Sequence, residues 1–240
     1  MTHFDENEFQ TILTKQQITL SDHQRLQFAK YYALLLEWNE RMNLTTILKP
    51  REVMVKHYLD SLSLMHFDKL IPDATLIDVG TGAGFPGIPL KILNPSWKIT
   101  LLDAVSKKLQ FLKAVIETLG LEGIATTHAR AEDLAHQRGY RESFDLCTSR
   151  AVANLSTLSE YCLPFVRKDG YFVAYKTETV HDELDQAKSA IKLFGGELIQ
   201  VIPYELPEFS YDRTLAVIHK RKSTPHQYPR KAGIPSKTPF

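Results

Sequence analysis

Residues able to do chemistry concentrate in Leu76-Ile77-Asp78-Val79-Gly80-Thr81-Gly82-Ala83-Gly84-Phe85-Pro86-Gly87. An apolar run meets a carboxylate, and glycine then recurs before a helical pattern begins. Glycine permits a tight turn and lets a ligand approach backbone amides with no Cβ in the way. Taken literally, Gly82 to Gly87 fits the G-x-G-x-x-G pattern of dinucleotide binding, so a nicotinamide- or flavin-dependent oxidoreductase is one reading. The glycine run starts directly after the strand, however, and Asp78 sets a carboxylate beside it. That charge would repel a pyrophosphate, whereas S-adenosyl-L-methionine carries no phosphate and offers an ammonium and a sulfonium. The loop, with Gly80 and Gly82 as contacts, therefore favours the methyl donor.

Further polar residues stand where successive strands should end. Asp103 closes Thr100-Leu101-Leu102-Asp103 about 20 residues beyond the loop, the position from which a carboxylate grips a ribose diol in such folds. Its competing role is to cap the next helix, which Ser106 could do equally well. Glu132, in Ala131-Glu132-Asp133, is placed to meet an adenine amino group, or else is simply an acid in a helix first turn. Arg150 could hold an oxygen of cofactor or substrate, and Lys176 a phosphate or base, unless Lys176 is a strand-end lysine facing solvent. The segment Leu146-Cys147-Thr148-Ser149-Arg150 holds no Asn-Pro-Pro-Tyr or Asp-Pro-Pro-Tyr, the arrangement of exocyclic-amine methylation. It also lacks the Pro-Cys of a covalent pyrimidine mechanism. No catalytic residue is assigned beyond Arg150 and Lys176 as candidates for positioning substrate.

These positions presuppose alternating strands and helices. Short β-branched runs at Thr75–Val79, Lys98–Asp103, Ile124–His128, Asp145–Ser149, Tyr171–Lys176, Glu197–Pro203 and Thr214–His219 predict a seven-stranded, mostly parallel sheet. Helical patterns over Ile88–Leu93, Ser106–Leu119, Asn154–Phe165 and Val180–Phe194 lie between strands and predict helices on both faces. The last two strands have no helix between them, so they pair antiparallel or lie apart. Ahead of the sheet, Ser21-Asp22-His23-Gln24 is a capping box opening a long amphipathic helix through Phe28, Tyr31, Tyr32, Leu35, Trp38 and Met42. A second helix is expected from Pro50. The division is a helical cap (1–70), an α/β domain (71–222) and a basic, proline-rich tail (223–240).

At 240 residues and 43% hydrophobic the chain can bury one sizeable core. It shows no membrane span and no leader, and its two cysteines, Cys147 and Cys162, have no metal or disulfide spacing, so a cytoplasmic, metal-free protein is expected. A monomer is the default expectation, since nothing in the sequence sets an oligomeric state. Net charge is only +1, yet every charged residue between Arg213 and Phe240 is basic. Prolines there favour an extended segment, which could follow a phosphate backbone or simply be solvated.

Trp38-Asn39 with Asn43-Leu44-Thr45, His57-Tyr58-Leu59-Asp60-Ser61-Leu62, Asp78 to Pro89, Leu102-Asp103 with Lys107-Lys108, Ser149-Arg150-Ala151, and Tyr228-Pro229-Arg230-Lys231-Ala232-Gly233-Ile234-Pro235 together resemble the RsmG (glucose-inhibited division protein B) family. That likeness implies a Rossmann-like class I methyltransferase fold and transfer of a methyl group from S-adenosyl-L-methionine to guanine N7 in 16S ribosomal RNA. The family's cofactor positions fall on Gly80, Phe85, Ala131, Glu132 and Arg150. It also implies an RNA-facing role for His57 and for the tail, with Arg230 and Lys231. Guanine N7 carries an in-plane lone pair in the neutral base, so alignment in a dry site replaces a strong general base. A non-catalytic RNA-binding module on the same scaffold is the further alternative.

Overall fold

The computed structural model describes residues 4–177 and 180–240. Helix α1 (Glu6–Thr14) starts at Asp5, whose carboxylate accepts from the amides of Asn7 and Glu8, and buries Phe9, Ile12 and Leu13. It was not expected from sequence, although those three positions have helical spacing. Helix α2 (Asp22–Met42) opens on the Ser21/Gln24 capping box and ends at Asn43 in the left-handed conformation. The helix expected from Pro50 is a composite of α3 (Pro50–Val53), a π-helical turn (Met54–Leu59), α4 (Asp60–Leu62) and a 3-10 turn (Ser63–His66). π turns inside helices recur at functional sites.

The sheet comprises β1 (Thr75–Val79), β2 (Lys98–Asp103), β3 (Ile124–His128), β4 (Phe144–Arg150), β5 (Val166–Thr177), β6 (Gly196–Leu206) and β7 (Phe209–Lys220). Its order is β3-β2-β1-β4-β5-β7-β6. β1 to β5 pair in parallel, and β7 runs antiparallel to both β5 and β6. A dinucleotide-binding sheet continues parallel in the order 3-2-1-4-5-6. The antiparallel β7 set between β5 and β6 is a different architecture, so the oxidoreductase alternative loses its scaffold.

Helices α5 (Gly87–Leu93), α6 (Ser106–Leu119), α7 (Ala131–Leu134), α8 (Leu155–Cys162) and α9 (Val180–Leu193) connect the strands. Strand side chains alternate between two apolar layers. Leu76 and Leu101 pack with Phe28, Tyr31, Leu35 and Tyr58 of the N-terminal helices, while Ile77 and Leu102 pack on the opposite face with Leu158, Ala187 and Phe194. The N-terminal helices thus complete one face of the sheet.

The C-terminal tail corrects an expectation. It is not a solvated, extended segment but folds back on the second layer and ends in the short helix α10 (Ile234–Lys237). Tyr228 and Phe240 meet each other and Phe194 edge-on, and Pro235 is buried. Its apolar residues supply the driving force that a count of its charges overlooks. Among the described residues no helix is long and apolar enough to cross a membrane.

Candidate cofactor and substrate site

Because β1 to β5 are parallel, their carboxyl ends share one edge, where ligands bind in open α/β sheets. Asp103 pairs with His128 across β2 and β3, and Arg150 with Tyr175 across β4 and β5. Between them lies the glycine loop, hung from β2 by the amides of Gly80 and Thr81, which donate to the carbonyl of Leu102 at 2.9 and 3.1 Å. The glycines do different jobs. A Cβ on Gly84 would strike Ile88 and the Tyr31 hydroxyl, and one on Gly87 would come within 2.3 Å of Leu101, so these allow close packing. At Gly82, φ is +60° and the space beyond Cα is open, with nothing nearer than the Gly80 carbonyl at 4.0 Å. Of the loop's glycines, Gly82 is the one with open space beyond it.

Asp103 is nearly buried, and its carboxylate accepts from the Gly82 amide at 3.0 Å and the Val105 amide at 2.8 Å, with Lys108 at 3.7 Å. Neither expected cap operates on α6, whose N-cap position is Val105 with no side-chain bond. Asp78 requires a correction. Rather than facing a ligand, it is wholly buried, accepting from the Gly87 amide at 3.0 Å and the Thr148 hydroxyl at 3.2 Å. Burial pushes its pKa up to about 6, against the opposing effect of these bonds and of Arg150. The carboxylate sets the turn from loop into α5 and acts on any ligand only through that turn. The largest of the effects opposing burial comes from the Thr81 hydroxyl, which is itself buried beside the carboxylate.

Arg150, at the end of β4, is the centre of a network reaching into the π turn. Its Nη1 donates to Asp60 Oδ2 at 2.6 Å, and its Nη2 lies 3.4 Å from His57 Nδ1. The guanidinium also sits over the Phe85 ring, 5.2 Å from the centroid, and His57 stacks on that ring at 4.4 Å and 12°. Arginine can only donate, so Nδ1 must accept, and the imidazole proton then resides on Nε2, facing Thr45 Oγ1 at 2.9 Å. Burial first, then Arg150, lowers the His57 pKa to about 3, so the ring is neutral at physiological pH. Asp60 is almost fully buried and also accepts from Tyr204 at 2.8 Å, with Arg213 at 3.6 Å. Asp60, Tyr204 and Thr45 escaped notice as site residues. Asp60 and Thr45 stand in the segments that carried the family resemblance, which was the available signal.

Lys176 is neither solvent-facing nor free. It pairs with Glu183 of α9 and donates to the Ala153 carbonyl at 3.0 Å, tying down the loop after β4. Glu132, 5% exposed, accepts at Oε1 from the Gly233 amide of the tail at 2.9 Å. Arg230 is likewise engaged internally, forking onto the buried Glu160 at 2.6 to 3.2 Å, whereas Lys231 is exposed. Both cysteines are buried and free. Among the described residues no cluster of three potential metal ligands occurs.

This arrangement has close counterparts. Residues 24–208 match the family described as rRNA small subunit methyltransferase G. The chain is 49% identical over 235 residues to the Ribosomal RNA small subunit methyltransferase G of Lactobacillus acidophilus, covering 97% of this chain and 98% of that protein. It is 47% identical over 221 residues to the protein of that name from Desulforamulus reducens, with 92% of each covered. Among solved structures, M. jannaschii TYW2 in complex with AdoMet superposes with a TM-score of 0.54 at 14% identity, covering 69% of this chain and 76% of that one. A geranyl diphosphate methyltransferase in complex with SAM gives 0.52 at 11%, covering 68% and 84%. At such identities these two speak for the fold alone.

Proposed function

The chain belongs to the rRNA small subunit methyltransferase G family, and on that premise we propose that it methylates N7 of a guanine in 16S ribosomal RNA. It is an rRNA methyltransferase, and its methyl donor is S-adenosyl-L-methionine. The edge of the sheet suits that donor. Gly82 leaves open space, and a carboxylate stands at the end of β2. The bound donor supplies an electrophilic methyl group on a sulfonium. We infer that Asp103 holds its ribose hydroxyls, that Ala131 and Glu132 flank the adenine, and that the Gly80 loop and Phe85 cover the remainder. Arg150, fixed by Asp60 and His57, would hold an oxygen of the donor or of the base. Lys176 would act one step back, by steadying residues 151–154.

The observation that carries the N7 assignment is the state of His57. Its Nδ1 lies against Arg150 and its Nε2 against Thr45, and burial makes it a weak base, so this ring is suited to positioning Arg150 rather than to taking a proton. An in-plane lone pair on a neutral base needs alignment and no proton acceptor. A cytoplasmic location follows from such a substrate and agrees with two unpaired thiols.

The test is transfer of labelled methyl from S-adenosyl-L-methionine to undermethylated small subunits and to their extracted RNA, followed by nucleoside analysis. Labelled 7-methylguanosine is expected. Label in any other nucleoside would overturn the N7 assignment while leaving the rRNA methyltransferase standing.

A further inference from the structure

The corner formed by β3 and α7 carries Ala131 and Glu132, and the sheet alone holds it poorly. β3 is an edge strand paired only with β2, and α7 is four residues long, too short to persist by itself. The C-terminal tail braces this corner from outside. The Gly233 amide donates to Glu132 Oε1 at 2.9 Å, and His136, just beyond α7, meets the Pro229 carbonyl at 2.9 Å, which requires the proton on its Nε2. Between these two contacts Arg230 clamps the tail to α8. Its backbone amide and guanidinium both donate to Glu160, which is 1% exposed, and the guanidinium stacks 4.1 Å above the Phe240 ring. Two buried carboxylates, on the helices after β3 and β4, thus find hydrogen-bond donors in one tail segment. A buried carboxylate without partners is costly, so tail and corner are held in register.

We propose that the C-terminal tail is a structural wall of the cofactor site, with Arg230 and Gly233 as positioning residues that aim Glu132 at the adenine amino group, and that Arg230 does not follow RNA. This rests on the placement of adenine beside Glu132. Gly233 takes Oε1, so Oε2 is the oxygen left to meet the amino group. Arg230 touches neither ligand in this scheme and acts through Glu160 and the path of the tail.

The discriminating readout is the preference for S-adenosylhomocysteine over S-inosylhomocysteine, which lacks the exocyclic amine, measured by calorimetry on the full chain. Loss of a charge-assisted hydrogen bond predicts that the preference falls about tenfold in Glu132→Ala and by a comparable factor in Arg230→Ala, with the KM for small subunits unchanged at saturating donor. Arg230→Lys keeps a charge against Glu160 without the fork, guards against loss of folding, and should be intermediate. If Glu132→Ala loses the preference while both Arg230 variants keep it, the wall proposal is overturned and the adenine placement survives. If Glu132→Ala itself keeps it, the adenine placement fails. A raised KM for small subunits with donor binding intact in Arg230→Lys would return the tail to RNA contact.

Discussion

Replacing Asp60 with asparagine tests whether the Arg150 network is what holds the edge of β4 together. Asp60 is 1% exposed, and its partner Arg150 lies 2.6 Å away with a side chain only 11% exposed. Removing one member of such a pair leaves a buried guanidinium facing two carbonyls and a neutral imidazole. Breaking buried pairs typically costs about 3–5 kcal/mol. Asparagine retains an oxygen that can still accept, so about 2–3 kcal/mol is expected here, or about 4–12 °C in melting temperature for a chain of this size. The position of the guanidinium should relax with it, and kcat/KM for methyl transfer should fall at least about tenfold, equivalent to about 1.4 kcal/mol. Denaturant unfolding of Asp60→Asn, Arg150→Gln and the double variant measures the coupling directly. The double variant should lose less than the sum of the two singles by about 1 kcal/mol or more. Additivity within about 0.5 kcal/mol, or wild-type turnover in a folded Asp60→Asn protein, would refute the reasoning.

Other perturbations separate the remaining roles. Asp78 has its folded pKa raised from 3.8 to about 6, so the folded state binds the extra proton, and stability contributed by this group is full below pH 3.8 and declines as pH rises to about 6. Relative to Asp78→Asn, the wild-type protein should therefore lose about 3 kcal/mol of unfolding free energy between pH 3.8 and pH 7, and a constant difference would exclude an ionising buried carboxylate. His57 is held neutral with its pKa lowered to about 3, so the pH dependence of kcat/KM between pH 5 and 8 should show no limb that disappears in His57→Gln; finding one would make this ring a titrating base. For the histidine the sign is opposite: its contribution is intact above pH 6.5 and fades as pH falls toward 3. Gly82→Ala should weaken donor binding several-fold at a stability cost of about 1 kcal/mol from its positive φ, whereas Gly84→Ala, which strikes Ile88 and Tyr31, should chiefly lower the melting temperature. Equal effects of the two on binding would deny that Gly82, rather than Gly84, faces the ligand.

Local chemistry made much of this protein legible before any coordinates. β1, β2, β3 and α6 follow the runs read from periodicity, and the capping box and glycine loop lie where their residue types put them, because each depends on neighbours a few residues away. The strands that outran expectation are β5 to β7; β5 begins at Val166 and runs through Arg167, Lys168 and Asp169, which have no β pattern and lie in the irregular stretch between the Val166 and Tyr171 pairings with β4, and only from Tyr171 on does it join the antiparallel ladder to β7. Carboxylates were the main blind spot. Asp60, Glu160 and Glu183 sit in helical segments, where an acid ordinarily means a solvated face. Only the folded chain brings Arg150 across 90 residues to Asp60, and Arg230 across 70 to Glu160. The tail shows the same division. Its basic composition suggested an extended partner for phosphate, but composition carries no information about Glu160, Glu132 and the Phe194 ring waiting on the second layer. Sequence by itself determined the scaffold and which residue types stand at the ends of its strands. Which charges are consumed inside and which remain for a ligand was decided by tertiary packing, because burial converts an ordinary surface acid into a group that must be paired.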